Sequence, residues 1–169
     1  MSDPINSLQN DELFFEADGQ IAQGKISEAL STLEAILLED PTYGKAYNHM
    51  GWIYETKFKD YTNAEEFYKK CYAYSPDYPA IYTNLSIMLS TLGKYDELES
   101  FIKKGLEVAG TDKAALYNEY AIMFELKGDY NKAIEQFKNA VRYSLNDVNV
   151  ETYSKSIARC KKKMELLGE

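Results

Sequence analysis

The sequence predicts an all-α fold: a solenoid of four helix-turn-helix repeats followed by a C-terminal capping helix. Three observations predict it. First, four short segments resemble one another, Gln23–Leu30, Phe58–Glu65, Leu92–Glu99 and Lys127–Ile134, and their Ala/Leu positions 29, 64, 98 and 133 are spaced by 35, 34 and 35 residues. Second, a small residue precedes each of these turns, Ala17, Gly51, Ser86 and Ala121, at intervals of 34, 35 and 35. A period of 20–50 residues that recurs is the mark of a repeat array. Third, apolar residues on either side of each turn recur at i, i+3 and i+4, as in Leu13, Ala17, Ile21 before the first turn and Ala29, Leu33, Ile36, Leu37 after it. That spacing belongs to one face of an amphipathic helix.

The elements follow in order. Residues 1–9 are expected to be a flexible leader. The four units are placed at about 10–43, 44–78, 79–113 and 114–147. Within the units, Gly24, Gly93 and Gly128 hold the turn between the two helices, where a backbone of positive φ suits glycine. The second unit carries Lys59 at that point and one extra residue in its turn. Pro41 and Pro76 follow second helices and end them, since proline lacks the amide that would continue the helix. Gly110 and Leu145 take that place later, with Thr111 and Asp147 as expected N-caps. Residues 148–169 have no partner helix. There Val150, Tyr153, Ile157, Cys160 and Met164 run at helical spacing with basic residues on the other faces, so this segment is expected to cap the stack.

Composition narrows the function classes. The chain of 169 residues has 27 acids, 19 bases, one His and two Cys. The 45% hydrophobic content argues against disorder, and the net charge of −8 argues against a phosphate-binding surface, so no nucleic acid is expected as partner. Residues 1–40 hold nine acids and one base, while residues 41–169 are balanced at 18 of each, so the net charge lies entirely in the first quarter. The opening Met1–Ser7 has neither a basic region nor an apolar run, and no stretch is apolar enough for a membrane span. Cys71 and Cys160 form no disulfide framework. No membrane contact and a cytoplasmic location are therefore expected.

The repeat resembles the tetratricopeptide family. An aromatic or Leu opening falls at Leu13, Tyr47, Tyr82 and Tyr117, and a Leu-Gly-like pair at Glu16-Ala17, Met50-Gly51, Leu85-Ser86 and Tyr120-Ala121. A further slot, aromatic in the family, holds Gln20, Tyr54, Leu89 and Phe124. The second helices carry Ala29, Ala64, Leu98 and Ala133, then Leu33, Tyr68, Ile102 and Phe137, then Ile36, Cys71, Gly105 and Ala140. The resemblance implies a right-handed solenoid, and a concave groove lined by first helices that takes an extended peptide or a partner helix.

Motifs for catalysis are missing from the sequence: no Gly-rich phosphate loop, no Cys-x-x-Cys, no His-Glu-x-x-His. His49 and Cys71 could suggest a thiol pair, but Cys71 falls in a helix-packing slot. The chain is therefore expected to be no enzyme, and to need no cofactor or metal. Carried over onto this sequence, the family's groove is expected to be lined by Asn48, His49, Trp52, Glu55, Asn84, Ile87, Asn118, Ile122 and Glu125, with Phe14, Asp18 and Glu119 beside them. Asn48, Asn84 and Asn118 recur about once per repeat, and an amide can donate to and accept from a peptide backbone at once. Trp52 is the sole Trp, a residue type enriched at binding hot spots.

Co-chaperone members of the family grip a C-terminal carboxylate with Lys, Arg and Asn. The matching residues here are Phe14, Asp18, His49, Ala80 and Asn84, of which only Asn84 fits. The groove acids Asp18, Glu55, Glu119 and Glu125 instead favour an apolar or basic peptide. The expected function is a non-catalytic protein-interaction module or adaptor. The alternatives are a self-associating scaffold in which the acidic first quarter meets the basic Lys155–Lys163 run of a neighbour, giving a homo-oligomer, and an accessory subunit of an enzyme.

Overall fold

The structure, a computed structural model, describes residues 4–168. Among the described residues there are α-helices joined by short turns and no strands. The order is α1 (Pro4–Ala22), α2 (Ile26–Glu39), α3 (Gly44–Ile53), α4 (Tyr61–Tyr74), α5 (Pro79–Thr91), α6 (Tyr95–Gly105), α7 (Lys113–Leu126), α8 (Tyr130–Tyr143) and α9 (Asp147–Leu167), and α3 runs on into a π-helical turn, Tyr54–Phe58. This is an all-α helical-repeat fold. Helix α1 begins at Pro4, inside the segment read from sequence as a leader, and residues 1–3 of that leader lie outside the described residues.

The eight residues that carried the period are all buried: Ala17, Gly51, Ser86 and Ala121 in the first helices, Ala29, Ala64, Leu98 and Ala133 in the second. Close approach explains why the first set is small. A Cβ placed on Gly51 would lie 2.6 Å from the ring of Tyr68, a side chain wholly buried in α4. Each turn closes in the same way. The amide of the residue before the second helix donates to the carbonyl of the slot that holds Gln20, Tyr54, Leu89 or Phe124: Lys25 to Gln20 at 2.8 Å, Asp60 to Tyr54 at 3.0 Å, Lys94 to Leu89 at 2.9 Å and Asp129 to Phe124 at 2.9 Å. Gly24, Gly93 and Gly128 sit at positive φ in three of these turns. The second turn spans one residue more; the π-helical turn absorbs it, and Lys59 takes the left-handed conformation at φ 57°.

Two N-caps lie one residue away from the expected ones. Asp112, not Thr111, caps α7 by accepting from the Ala115 amide, and the Thr111 hydroxyl donates to the Gly105 and Val108 carbonyls. Asn146, not Asp147, caps α9 by accepting from the amides of Val148 and Asn149. A carboxylate or amide at the cap reaches the free amides two and three residues on, and Asp112 and Asn146 stand at that reach.

The chain forms two compact bodies, one ending at Asn84 and the other beginning at Leu85, within α5. In the first, α1 packs on α2, α3 on α4, and α2 on α3. Its core joins Phe14, Ala17, Ala29, Leu33, Ile36, Ala46, Met50 and Ile53, with Trp52 and Phe67 packed against it. In the second, α7 packs on α6 and α8, and α9 lies on α8. Ala121, Ala133, Phe137 and Cys160 form one cluster there, and Ala114, Ala140 and Tyr153 another. Helix α9 buries Tyr153, Ser156 and Cys160. Ser156 stands 35 residues after Ala121, so the small-residue spacing continues into α9.

Candidate functional site

Helices α1 and α3 and the start of α5 enclose a cavity of about 310 Å³ in the first body, lined by Asp18, Ile21, Asn48, His49, Trp52, Tyr78, Ala80 and Asn84. Four residues selected from the sequence, Asn48, His49, Trp52 and Asn84, therefore meet at one place. Asn48 and Trp52 share a face of α3 at i, i+4, and His49 stands beside Asn48. Asn84 lies one unit later and donates from Nδ2 to Oδ1 of Asn48 at 3.0 Å.

His49 is fixed on both sides. Its ring meets Phe14 edge-on with centroids 4.5 Å apart, and Nε2 lies 3.2 Å from Oδ1 of Asp18. Nδ1 is buried and lacks a well-formed hydrogen bond; only the Lys45 carbonyl acts on it. Burial depresses the imidazole below its ordinary range and outweighs the opposing pull of Asp18, so His49 is neutral at pH 7. The Asp18 side chain is 66% exposed. The Tyr78 hydroxyl is raised, chiefly by burial, with Asp18 adding to it.

The other expected groove residues are not among the lining of this cavity. Glu55, in the π-helical turn, accepts from the Tyr68 hydroxyl at 2.7 Å. Ile87 is exposed on α5 in the second body. Asn118 donates to its neighbour Glu119 at 3.2 Å, and burial raises the Glu119 carboxyl. Ile122 packs against the cluster of Ala121, Phe137 and Cys160. Glu125 is buried and bound by α9: Arg159 donates twice, at 2.7 and 2.6 Å, and Lys163 once at 2.8 Å. The Arg159 bonds foremost, then Lys163, hold its carboxyl at about 2. Glu125 is thus a structural acid. The basic run of α9 is largely matched within the chain, since Lys155 also pairs with Glu151 and Lys162 with Glu165.

Three cavity residues were not singled out as groove residues, Ile21, Tyr78 and Ala80. A signal for Tyr78 exists in the sequence. Tyr43 and Tyr78 each stand two residues after a proline, 35 apart, and each amide closes the same kind of turn, onto Asp40 and Ser75. The cysteines carry no reactive site: burial pushes Cys71 up to about 12 and Cys160 up to about 11, so both are thiols at neutral pH. Among the described residues no group of three His, Cys, Asp or Glu could hold a metal ion, and no helix is long and apolar enough to cross a membrane.

Comparison with known proteins agrees with this geometry. Residues 44–78, which hold α3 and α4, match the family model described as tetratricopeptide repeat. Among solved structures, pilF of Pseudomonas aeruginosa is similar at a TM-score of 0.76 and 16% identity, over 92% of this chain and 78% of that one. MamA is similar at 0.69 and 19%, over 79% and 77% of the two chains. YrrB, described as a TPR protein with an unusual peptide-binding site, is similar at 0.66 and 16%, over 78% and 67%. No curated protein matches in sequence. One tetratricopeptide repeat is recognised in the sequence, at residues 44–78, and the chain shares the helical-repeat fold of these structures.

Proposed function

We propose that the chain is a non-catalytic protein-interaction module, and that the first body's cavity is the seat of a peptide or of one strand of a partner. The observation that carries this is the meeting of Asn48, His49, Trp52 and Asn84 around a cavity of about 310 Å³. Its polar groups are two amides and an imidazole on rigid helices, with an indole and a phenol for apolar contact, the mixture that ligand pockets use to orient a guest. The peptide-binding description of YrrB supports the same reading.

Panning a displayed random-peptide library against the full chain tests it. Selected peptides should bind about tenfold weaker to Asn84→Ala, which loses one charge-free hydrogen-bonding group at the seat. Quenching of Trp52 fluorescence should accompany binding. Asn84 is the better variant than Trp52, because Trp52 also packs against the core. Selected peptides that bind Asn84→Ala as well as the parent, or that leave Trp52 unperturbed, would refute the assignment.

A further inference from the structure

We propose that the cavity of the first body is a seat for one cationic side chain, lysine or arginine, of the bound peptide, with Asp18 as its charge partner. The inference rests on the peptide-seat reading above and adds the chemistry of the guest.

Size comes first. At about 310 Å³ the cavity stands at the low end for ligand sites, fit for one long side chain and not for a packed helix. Charge comes next. Asp18 is the one formally charged residue in the lining, and no Lys or Arg lines it. Among the described residues its carboxylate is engaged by His49 alone, through Oδ1. Because that imidazole is neutral at pH 7, the negative charge is not cancelled. An acidic side chain would meet only repulsion. A purely apolar one would strip water from Asp18 and the amides and give nothing back, a desolvation that carries a real cost.

The rest of the lining suits a long stem with a charged tip. Ile21 and Ala80 offer apolar contact for the methylenes. The Trp52 indole, with the chain's own Lys57 ammonium 5.1 Å from its centroid, offers its remaining surface to the stem and leaves the charged tip to Asp18. The Asn84 carbonyl oxygen, whose amide nitrogen is committed to Asn48, is left to accept from a peptide amide or from a second guanidinium N–H.

Nuclear magnetic resonance on the full chain can test this cleanly, because the sole Trp and the sole His both line the cavity and each gives one side-chain resonance. The probes are the amides of N-acetyl-lysine, N-acetyl-arginine, N-acetyl-norleucine and N-acetyl-glutamate. The lysine or arginine probe, or both, should shift the Trp52 indole and His49 ring signals saturably. Norleucine, which keeps the stem without the charge, should bind about tenfold weaker or not at all, and so should either cation to Asp18→Asn. Asp18 is exposed, so this variant should melt with the parent. Norleucine binding as tightly as lysine, unchanged cation binding to Asp18→Asn, or no saturable shift with either cation would each overturn the cation seat. Library peptides that still bind through Trp52 and Asn84 would in that case leave the peptide-seat reading standing, so the two failures are distinguishable.

Discussion

At the scale of single residues the repeat is governed by what a position has room for. Gly51 faces the Tyr68 ring so closely that a methyl group there must move a fully buried side chain whose hydroxyl is tied to Glu55. Gly51→Ala should therefore cost about 1–3 kcal/mol by overpacking, read as a drop in the urea midpoint. Ser86 occupies the equivalent slot one unit later. It is wholly buried, and its Oγ finds no partner among the described residues. Removing that hydroxyl with Ser86→Ala should stabilise the chain by about 1 kcal/mol, since an unsatisfied buried hydroxyl is worth less than the methyl group that replaces it. A fall in melting temperature would contradict that account. Tyr54 and Phe124, in the slot that is aromatic in the family, are only half-buried. Among the described residues the aromatic side chains with no exposed surface are Tyr68 and Phe137, where truncation to Ala would cost most.

Elements show how irregularity is absorbed. The second turn has one residue too many, and the chain spends it in a π-helical turn that ends with Lys59 in the left-handed region. An L-residue there costs about 1–2 kcal/mol. Lys59→Gly should recover about 1 kcal/mol, because that is the residue its sister turns use. An unchanged midpoint would show that the turn relaxes in some other way.

Helix α9 is a second case. The small-residue spacing continues into it, and Glu125 holds it through Arg159 and Lys163. The folded carboxyl lies near 2 against an ordinary 4.5, so the sign is that of a depressed acid. The contribution is complete above about 4.5 and disappears as pH falls towards 2. The two cations are 50% and 42% exposed, which moderates the gain. Glu125→Gln should be less stable than the parent by about 1–3 kcal/mol at pH 7, with the gap closing below pH 4. A gap independent of pH would mean that α9 is held by its buried Tyr153 and Cys160 alone.

These examples also show what could be read in advance. Slots that repeat at 34–35 residues were legible because every unit meets the same steric demand, and so was the extra turn residue beside Lys59. The N-caps of α7 and α9 were missed by one residue, since Thr111-Asp112 and Asn146-Asp147 each offer two capping side chains in a row and only backbone geometry chooses between them. Four of the nine groove candidates converge because three lie within five residues of α3 and the fourth bonds to Asn48 from α5. Glu125 was expected in the groove too, but α9 reaches it from 34 and 38 residues away, and no local pattern announces which acid such a helix will take.

For the whole molecule, the distribution of charge decides how a partner arrives. The net −8 belongs to residues 1–40, the stretch that supplies Asp18 to the cavity, while the remaining acids and bases cancel and the basic residues of α9 are largely matched where they stand. That matching leaves little free positive charge on α9, and the acidic quarter is the stretch that would draw the cationic guest proposed above. A field of one sign around a site raises the encounter rate of opposite charges and is screened once the Debye length, about 8 Å at physiological salt, falls below the separation. Association of a lysine-bearing peptide with the full chain should therefore slow by about tenfold between low and high salt, with dissociation changing far less. Stopped-flow fluorescence of Trp52 reads both rates. The same peptide with norleucine for lysine should show nearly flat association. Should both peptides respond to salt alike, the acidic quarter would play no part in guiding the guest, and its charge would serve only to keep α1 and α2 solvated.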